Sequence, residues 1–198
     1  MIPKNAITEW GEFAPWKEEV QEALSFLGEP KVKQKRNNNT LIFRVQSNGV
    51  TPLPIHLKVE INCKEHFSVL PLVRKPFEVN SMWFKGSTEL LTYQLDELLG
   101  TKLRALYQRR KGRDLYDLFK AISMEEVDID KVICCYRQYL NFVVDHMPTY
   151  KEFIMNMAEK LKDDEFLGDT KNLLRHEDVF DPIQGYEMVK QRLIDKMI

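Results

Sequence analysis

Apolar and polar positions along this chain change period near residue 94, separating a strand-rich part from a helix-rich part. Residues 8–27 read as helix, with Trp10, Phe13, Val20, Ala23, Leu24 and Leu27 roughly on one face and a break near Gly11 and Pro15. Gly28 and Pro30 stop that helix. Residues 31–40 read as a polar connection: Lys31, Lys33, Lys35 and Arg36, then the turn-like Asn37, Asn38 and Asn39. Strand signals follow at 41–45, at 55–61, at 77–84 and at 90–93. In the second of these His56, Lys58 and Glu60 alternate with Ile55, Leu57, Val59 and Ile61, the pattern of a half-buried strand. The turn-rich link through Ser47, Asn48 and Gly49 predicts that 41–47 and 55–61 pair antiparallel.

Beyond residue 94 the period is helical. Leu95, Leu98, Leu99, Leu103 and Leu106 form a stripe ending near Gly112. Further helices are predicted over 113–122, 129–144, 150–161, 166–174 and 186–197, with breaks at Pro148 and Pro182. Phe142, Val143, Met147, Phe153, Met157 and Leu161 read as a bundle core. The fold class is α+β, divided into residues 1–94 and 95–198.

Composition narrows the function little. The chain has 198 residues, 43% hydrophobic and 30% charged, as in an ordinary soluble globular protein. A formal net charge of -1 provides no global field toward nucleic acid, so any such contact needs a local patch. No apolar run is long enough to span a bilayer, which predicts no membrane association, and the first residues do not resemble an export signal. Cys63, Cys134 and Cys135 lack metal spacing and read as small apolar groups in a reducing cytoplasm. His56, His66, His146 and His176 also lack ligand spacing, and Trp10, Trp16 and Trp83 read as packing residues.

The local patch is the stretch 102–118. Lys102, Arg104, Arg109, Arg110, Lys111 and Arg113 precede its first acid. On a helix, Lys102, Ala105, Leu106 and Arg109 share a face, and small Ala105 leaves room beside them. Lys102 as a point charge and Arg109 as a bidentate fork suit nucleotide phosphates. Gly112 lets the chain bend, and Asp114 and Asp117 then lie three apart on the next helix. A blander reading stands beside this one. Basic runs are usually solvated faces, and Arg113 with Asp117 at i+4 forms a helix pair worth about 0.3–0.5 kcal/mol.

The series Lys102-Leu-Arg-Ala-Leu-Tyr-Gln-Arg109 and Gly112-Arg113-Asp114-Leu-Tyr-Asp117-Leu118 resembles the K-x-x-A-x-x-x-R and R-D-x-x-D-L signature of the AbiEii/AbiGii toxin nucleotidyltransferases. Lys58-Val59-Glu60-Ile61 resembles the K-x-E strand that precedes it there, and the stretch 97–101 also fits, so the resemblance covers about residues 28–198. It implies a toxin–antitoxin and abortive-infection setting, a nucleotidyltransferase-like mixed sheet followed by a helical bundle, and two Mg2+ ions held by carboxylates. By that match Glu60 is a metal carboxylate with Lys58 supporting it. Lys102, Arg109 and Arg113 face nucleotide phosphate, Asp114 orients or activates the acceptor, and Asp117 supports the site. Implied partners are a nucleoside triphosphate (GTP or another), an RNA acceptor and an antitoxin encoded nearby.

This sequence departs from the family in one place. The early G-S-x-D-x-D element, source of two metal carboxylates, has no counterpart: Gly86-Ser87 is followed by Thr-Glu-Leu-Leu. The only D-x-D is Asp128-Ile129-Asp130, which reads as a helix start. The chain passes from a start like that of full-length relatives almost directly to the 24–30 link, the pattern of an internal deletion. Three expectations follow. The isolated chain is a remnant with an incomplete metal site, inactive and not holding Mg2+ tightly. The strands left without partners expose an edge that invites a homodimer. The alternatives are a non-catalytic module binding nucleotide, RNA or antitoxin through 102–113, with Tyr107 available to stack on a base, and an enzyme completed by another chain.

Overall fold

The structure, a computed structural model, describes residues 13–35, 38–48, 50–62, 65, 67–175 and 177–197. It is α+β, with five antiparallel strands preceding six of seven α-helices among the described residues. The chain divides into two compact units, residues 1–67 and 68–198. The change from strand to helix falls later, at Gln94–Leu95, so the second unit contains a hairpin as well as the bundle.

In the first unit, helix α1 (Phe13–Ala23) is followed by a 3-10 turn (Ser25–Leu27) that ends at Gly28 with φ +80°, a conformation that favours glycine. The beginning of the predicted helix, including Trp10 and Gly11, lies outside the described residues, as do Cys63, His66 and His176. Strands β1 (Lys31–Lys35), β2 (Asn38–Gln46) and β3 (Pro54–Asn62) form an antiparallel sheet in that order. The predicted hairpin is present, with Leu41 opposite Val59 and Phe43 opposite Leu57. Strand β1 replaces the predicted polar connection. Lys31, Lys33 and Lys35 alternate along one side of an edge strand, where charge blocks further pairing.

In the second unit, β4 (Val73–Asn80) pairs with β5 (Lys85–Thr92). Both strands differ in extent from the prediction, because Ser81 closes a turn where strand was expected. Its hydroxyl oxygen accepts the N–H groups of Trp83 (3.2 Å) and Phe84 (3.0 Å). Trp83, expected to pack, is 87% exposed at that tip.

Helices α2 (Leu95–Gln108), α3 (Gly112–Met124), α4 (Ile129–Val143), α5 (Tyr150–Lys160), α6 (Asp164–Gly168) and α7 (Pro182–Arg192) share one core. The leucine stripe of α2 supplies Leu99, Leu103 and Leu106 to it, and α5 supplies Phe153 and Met157. Pro182 opens α7 as its first residue, after Asp181 caps it, because proline suits a helix start. Asp128 caps α4 through the Lys131 N–H at 3.2 Å, so the sole D-x-D is a helix start. Cys135 is buried, and burial pushes its thiol up to about 12. Cys134 is exposed, correcting the expectation that both are packed.

Two contacts fix α2 in the bundle. Buried Glu97 accepts the N–H groups of Val69 (2.7 Å) and Leu70 (2.9 Å) and the Tyr139 hydroxyl (2.7 Å). Gly100 lets α4 approach closely, since a Cβ there would lie 2.6 Å from the Cys135 Cβ and 2.9 Å from two α4 backbone atoms. Backbone cannot swing away as a long side chain can. Gly100→Ala therefore loses about 1–3 kcal/mol of stability in denaturant unfolding; an unchanged midpoint would disprove the close packing.

Candidate functional site

The corner between α2 and α3 gathers the charged residues of the signature. Helix α2 ends at Gln108, and the Arg109 N–H still bonds to the Ala105 carbonyl at 2.9 Å. After three connecting residues α3 begins at Gly112, where a Cβ would stand 2.1 Å from the Phe166 carbonyl oxygen of α6. Only glycine permits this contact, which aims the first turn of α3 back at the end of α2.

That turn delivers Asp114, whose side chain is 1% exposed. The Arg109 guanidinium meets it as a fork, with Nε 2.9 Å from Oδ2 and Nη2 3.1 Å from Oδ1. Lys102 Nζ adds a contact of 3.3 Å to Oδ1 and pairs with Asp117 Oδ2 at 2.6 Å. Burial works against the charge on Lys102, but Asp117 and Asp114 outweigh it and hold the ammonium above its ordinary pKa. Lys102, Arg109, Asp114 and Asp117 thus form one charge-balanced cluster. Beside it, a cavity of about 350 Å³ is walled by Leu98, Tyr116, Ala121 and Met124, with Lys102, Asp117 and Lys120 also lining it.

Arg110, Lys111 and Arg113 are paired elsewhere. Arg110 reaches Asp163 at 3.2 Å, and Lys111 reaches Glu165 at 3.2 Å. Asp169 accepts the Arg113 backbone N–H at 3.1 Å and faces its Nε at 3.3 Å. Arg113 is therefore joined to Asp169, while Asp117 is joined to Lys102; the i+4 pair between Arg113 and Asp117 does not form because each has a nearer partner. Helix-side acids at 163–169 neutralise much of the run 110–113.

Lys160 was not singled out in the sequence, where a lone lysine late in a helix gives no signal. It is 3% exposed, and its ammonium donates to the carbonyls of Leu106 and of Tyr107, the latter at 2.8 Å. These are orphan acceptors at the end of α2, just before Arg109. Burial, reinforced by Arg110, pulls the Lys160 pKa down to about 8.

Glu60 lies on β3 opposite Thr40, and its Oε1 is 2.7 Å from Lys58 Nζ, with both side chains about half exposed (49% and 53%). A two-metal centre needs several converging carboxylates. Among the described residues no three His, Cys, Asp or Glu side chains are grouped to hold an ion. One half-exposed glutamate already paired with a lysine does not fit such a centre.

The family model described as nucleotidyl transferase AbiEii toxin, type IV TA system, matches residues 4–186. The chain belongs to the AbiEii nucleotidyltransferase toxin family. No curated protein and no solved structure matches it at a significant level. No helix among the described residues is long and apolar enough to cross a membrane. For an AbiEii-family protein, the cluster at the α2–α3 corner is the part of the signature that is brought together. The K-x-E strand belongs to the other unit.

Asp114→Asn leaves Arg109 and Lys102 facing a neutral amide and costs about 3 kcal/mol of stability. Asp117→Asn, at a half-exposed carboxylate, costs under about 1 kcal/mol. Equal losses in denaturant titrations of the two variants would remove Asp114 from the centre of the cluster. Lys160 gives a pH-dependent check. Its folded pKa lies below its unfolded value, so between about 8 and 10.5 the unfolded chain binds the extra proton and stability from this group rises with pH. Wild type should therefore gain stability relative to Lys160→Met on going from about pH 7 to about pH 9.5. A difference that stays flat or shrinks contradicts a buried, depressed lysine.

Proposed function

We propose that this AbiEii-family chain retains the nucleotide-phosphate part of a nucleotidyltransferase site and does not transfer nucleotides by itself. The observation that carries the reading is the Lys102–Arg109–Asp114–Asp117 cluster, complete at the corner of two consecutive helices, set against the lack of a counterpart to the early G-S-x-D-x-D element in the sequence. Lys102 is the phosphate ligand. Asp117 holds it at 2.6 Å and must give way when phosphate arrives. Arg109 fixes Asp114 and borders the same ligand. Asp114, with both oxygens engaged by cations, acts as an acceptor-only carboxylate that orients an acceptor hydroxyl. Arg113 contributes through Asp169, anchoring the first turn of α3, rather than by touching phosphate. Glu60, with Lys58 beside it, is what remains of the metal carboxylates.

The family supports a nucleotide substrate, GTP or another, and an antitoxin partner. A reducing cytoplasm and an RNA acceptor belong to the same reading. The paired state of Arg110, Lys111 and Arg113 argues against a broad basic surface for RNA. Nucleotide binding limited to the cavity beside Lys102 accords better with the charge distribution.

In a thermal-shift titration with GTP and the other nucleoside triphosphates plus Mg2+, at least one nucleotide should raise the melting temperature, less so at high salt. Lys102→Met removes the shift. Asp117→Asn frees Lys102 and tightens binding by several-fold, equivalent to about 1 kcal/mol or less. Labelled nucleotide is not incorporated into RNA or protein. Incorporation that Glu60→Ala abolishes would refute the inactive reading, and failure of every nucleotide to shift the melting temperature would refute the binding half.

A further inference from the structure

The β4–β5 hairpin has two outer edges of different character. Ser81 donates its N–H to the Phe84 carbonyl at 2.9 Å, which fixes the alternation of bonded pairs down the ladder. By that alternation the backbone groups of Arg74, Pro76, Glu78 and Asn80 face outward from β4. Those of Lys85, Ser87, Glu89 and Leu91 face outward from β5. Pro76 has no N–H at its outward position and has Lys75 and Arg74 before it, so the β4 edge is protected as natural edge strands are. The outward positions of β5 include no proline. No backbone bond to another element is made by that edge among the described residues. A lone two-stranded hairpin is marginal in water.

The β5 edge is also self-complementary. Antiparallel pairing of two copies about a two-fold axis at Ser87 sets Lys85 of each copy opposite Glu89 of the other, twice. The same register sets exposed Phe84, just ahead of β5, opposite Leu90. It uses the outward-facing residues, as the hydrogen bonding demands. Moving the axis one step to Thr88 puts Lys85 opposite Leu91, and moving it to Glu89 puts like charges face to face. The ring of Phe84 already lies over Gly86, within 2.9 Å of where a Cβ would stand, on the face that also carries Leu90 and Phe77. Pairing there would continue an apolar face across four strands. Aromatic rings bury on the order of 150–250 Å² each, so Phe84 from both copies, set against Leu90, supplies a substantial part of the roughly 1,000 Å² that a specific interface needs.

We propose that two copies of this chain associate edge to edge through β5, forming a four-stranded sheet with Ser87 on the two-fold axis and Lys85–Glu89 ion pairs on either side. This is independent of the nucleotide-binding reading, because its measure is the mass of the particle and no ligand is involved. Sedimentation equilibrium of the full chain should show a concentration-dependent dimer. Lys85→Glu places an acid opposite Glu89 of the other copy at both symmetric contacts and weakens the dimer by about tenfold or more. Adding Glu89→Lys restores the opposite charges and the dimer. Ser87→Pro removes an outward donor that the hairpin itself does not use, and the dimer is lost while circular dichroism stays unchanged. A wild type that remains monomeric at every accessible concentration overturns the proposal. So does a double reversal no tighter than Lys85→Glu alone.

Discussion

The grip of Arg109 and Lys102 on the buried carboxylate of Asp114 constrains more of this protein than any other contact. A carboxylate stripped of water is tolerated only when its oxygens are filled and its charge is matched. Arg109 meets that requirement only if α2 stops at Gln108, and Lys160 binds the carbonyls left open by that stop. Asp114 is in place only if α3 starts at Gly112, against the Phe166 carbonyl. The ends of α2 and α5, the start of α3 and the body of α6 are thereby tied to one charged contact. Helix packing supplies the bulk of the stability; this contact sets the angle at which α2 and α3 meet.

The same electrostatics limit what the basic run can do. Arg110, Lys111 and Arg113 draw in Asp163, Glu165 and Asp169 and become part of the fold. Such half-exposed pairs contribute little stability singly. Their consequence is more a matter of potential: each cation is matched by an acid within a few ångströms, so the field a phosphate backbone would sense is small. Lys102 differs because its two acids are also the ones that a ligand would have to displace.

Legibility in the sequence followed the range of the interactions. The leucine stripe of α2 and the hairpin of β2 with β3 were readable because their periods are local, and the signature motifs placed Lys102, Arg109, Asp114 and Asp117 within reach of one another. Strand β1 was not, because its alternating lysines have the composition of a loop, and only pairing with β2 shows their purpose. Residue type alone marks Trp83 as a packing residue, and Ser81 turns the chain there instead. Lys160 gave no signal, since its acceptors are backbone carbonyls more than 50 residues away. The acids at 163–169 are a weak signal: a cluster of one sign late in the chain, matching a cluster of the other sign before it.

A charge-balanced cluster and a two-metal centre differ in how they are built, and on the proposed reading that difference explains why one persists without the other. The cluster at the α2–α3 corner draws all four charged residues from sixteen consecutive positions, 102–117, and closes its own charge balance. It depends on the bundle core and on no strand. A metal centre has the opposite construction, since its carboxylates repel one another and must be forced together by separate strands until an ion joins them. A glutamate on a strand without such neighbours relaxes onto the nearest cation, as Glu60 does onto Lys58. The cluster is balanced wherever the bundle core holds its two helices, whereas converging carboxylates depend on positions that separate strands must set.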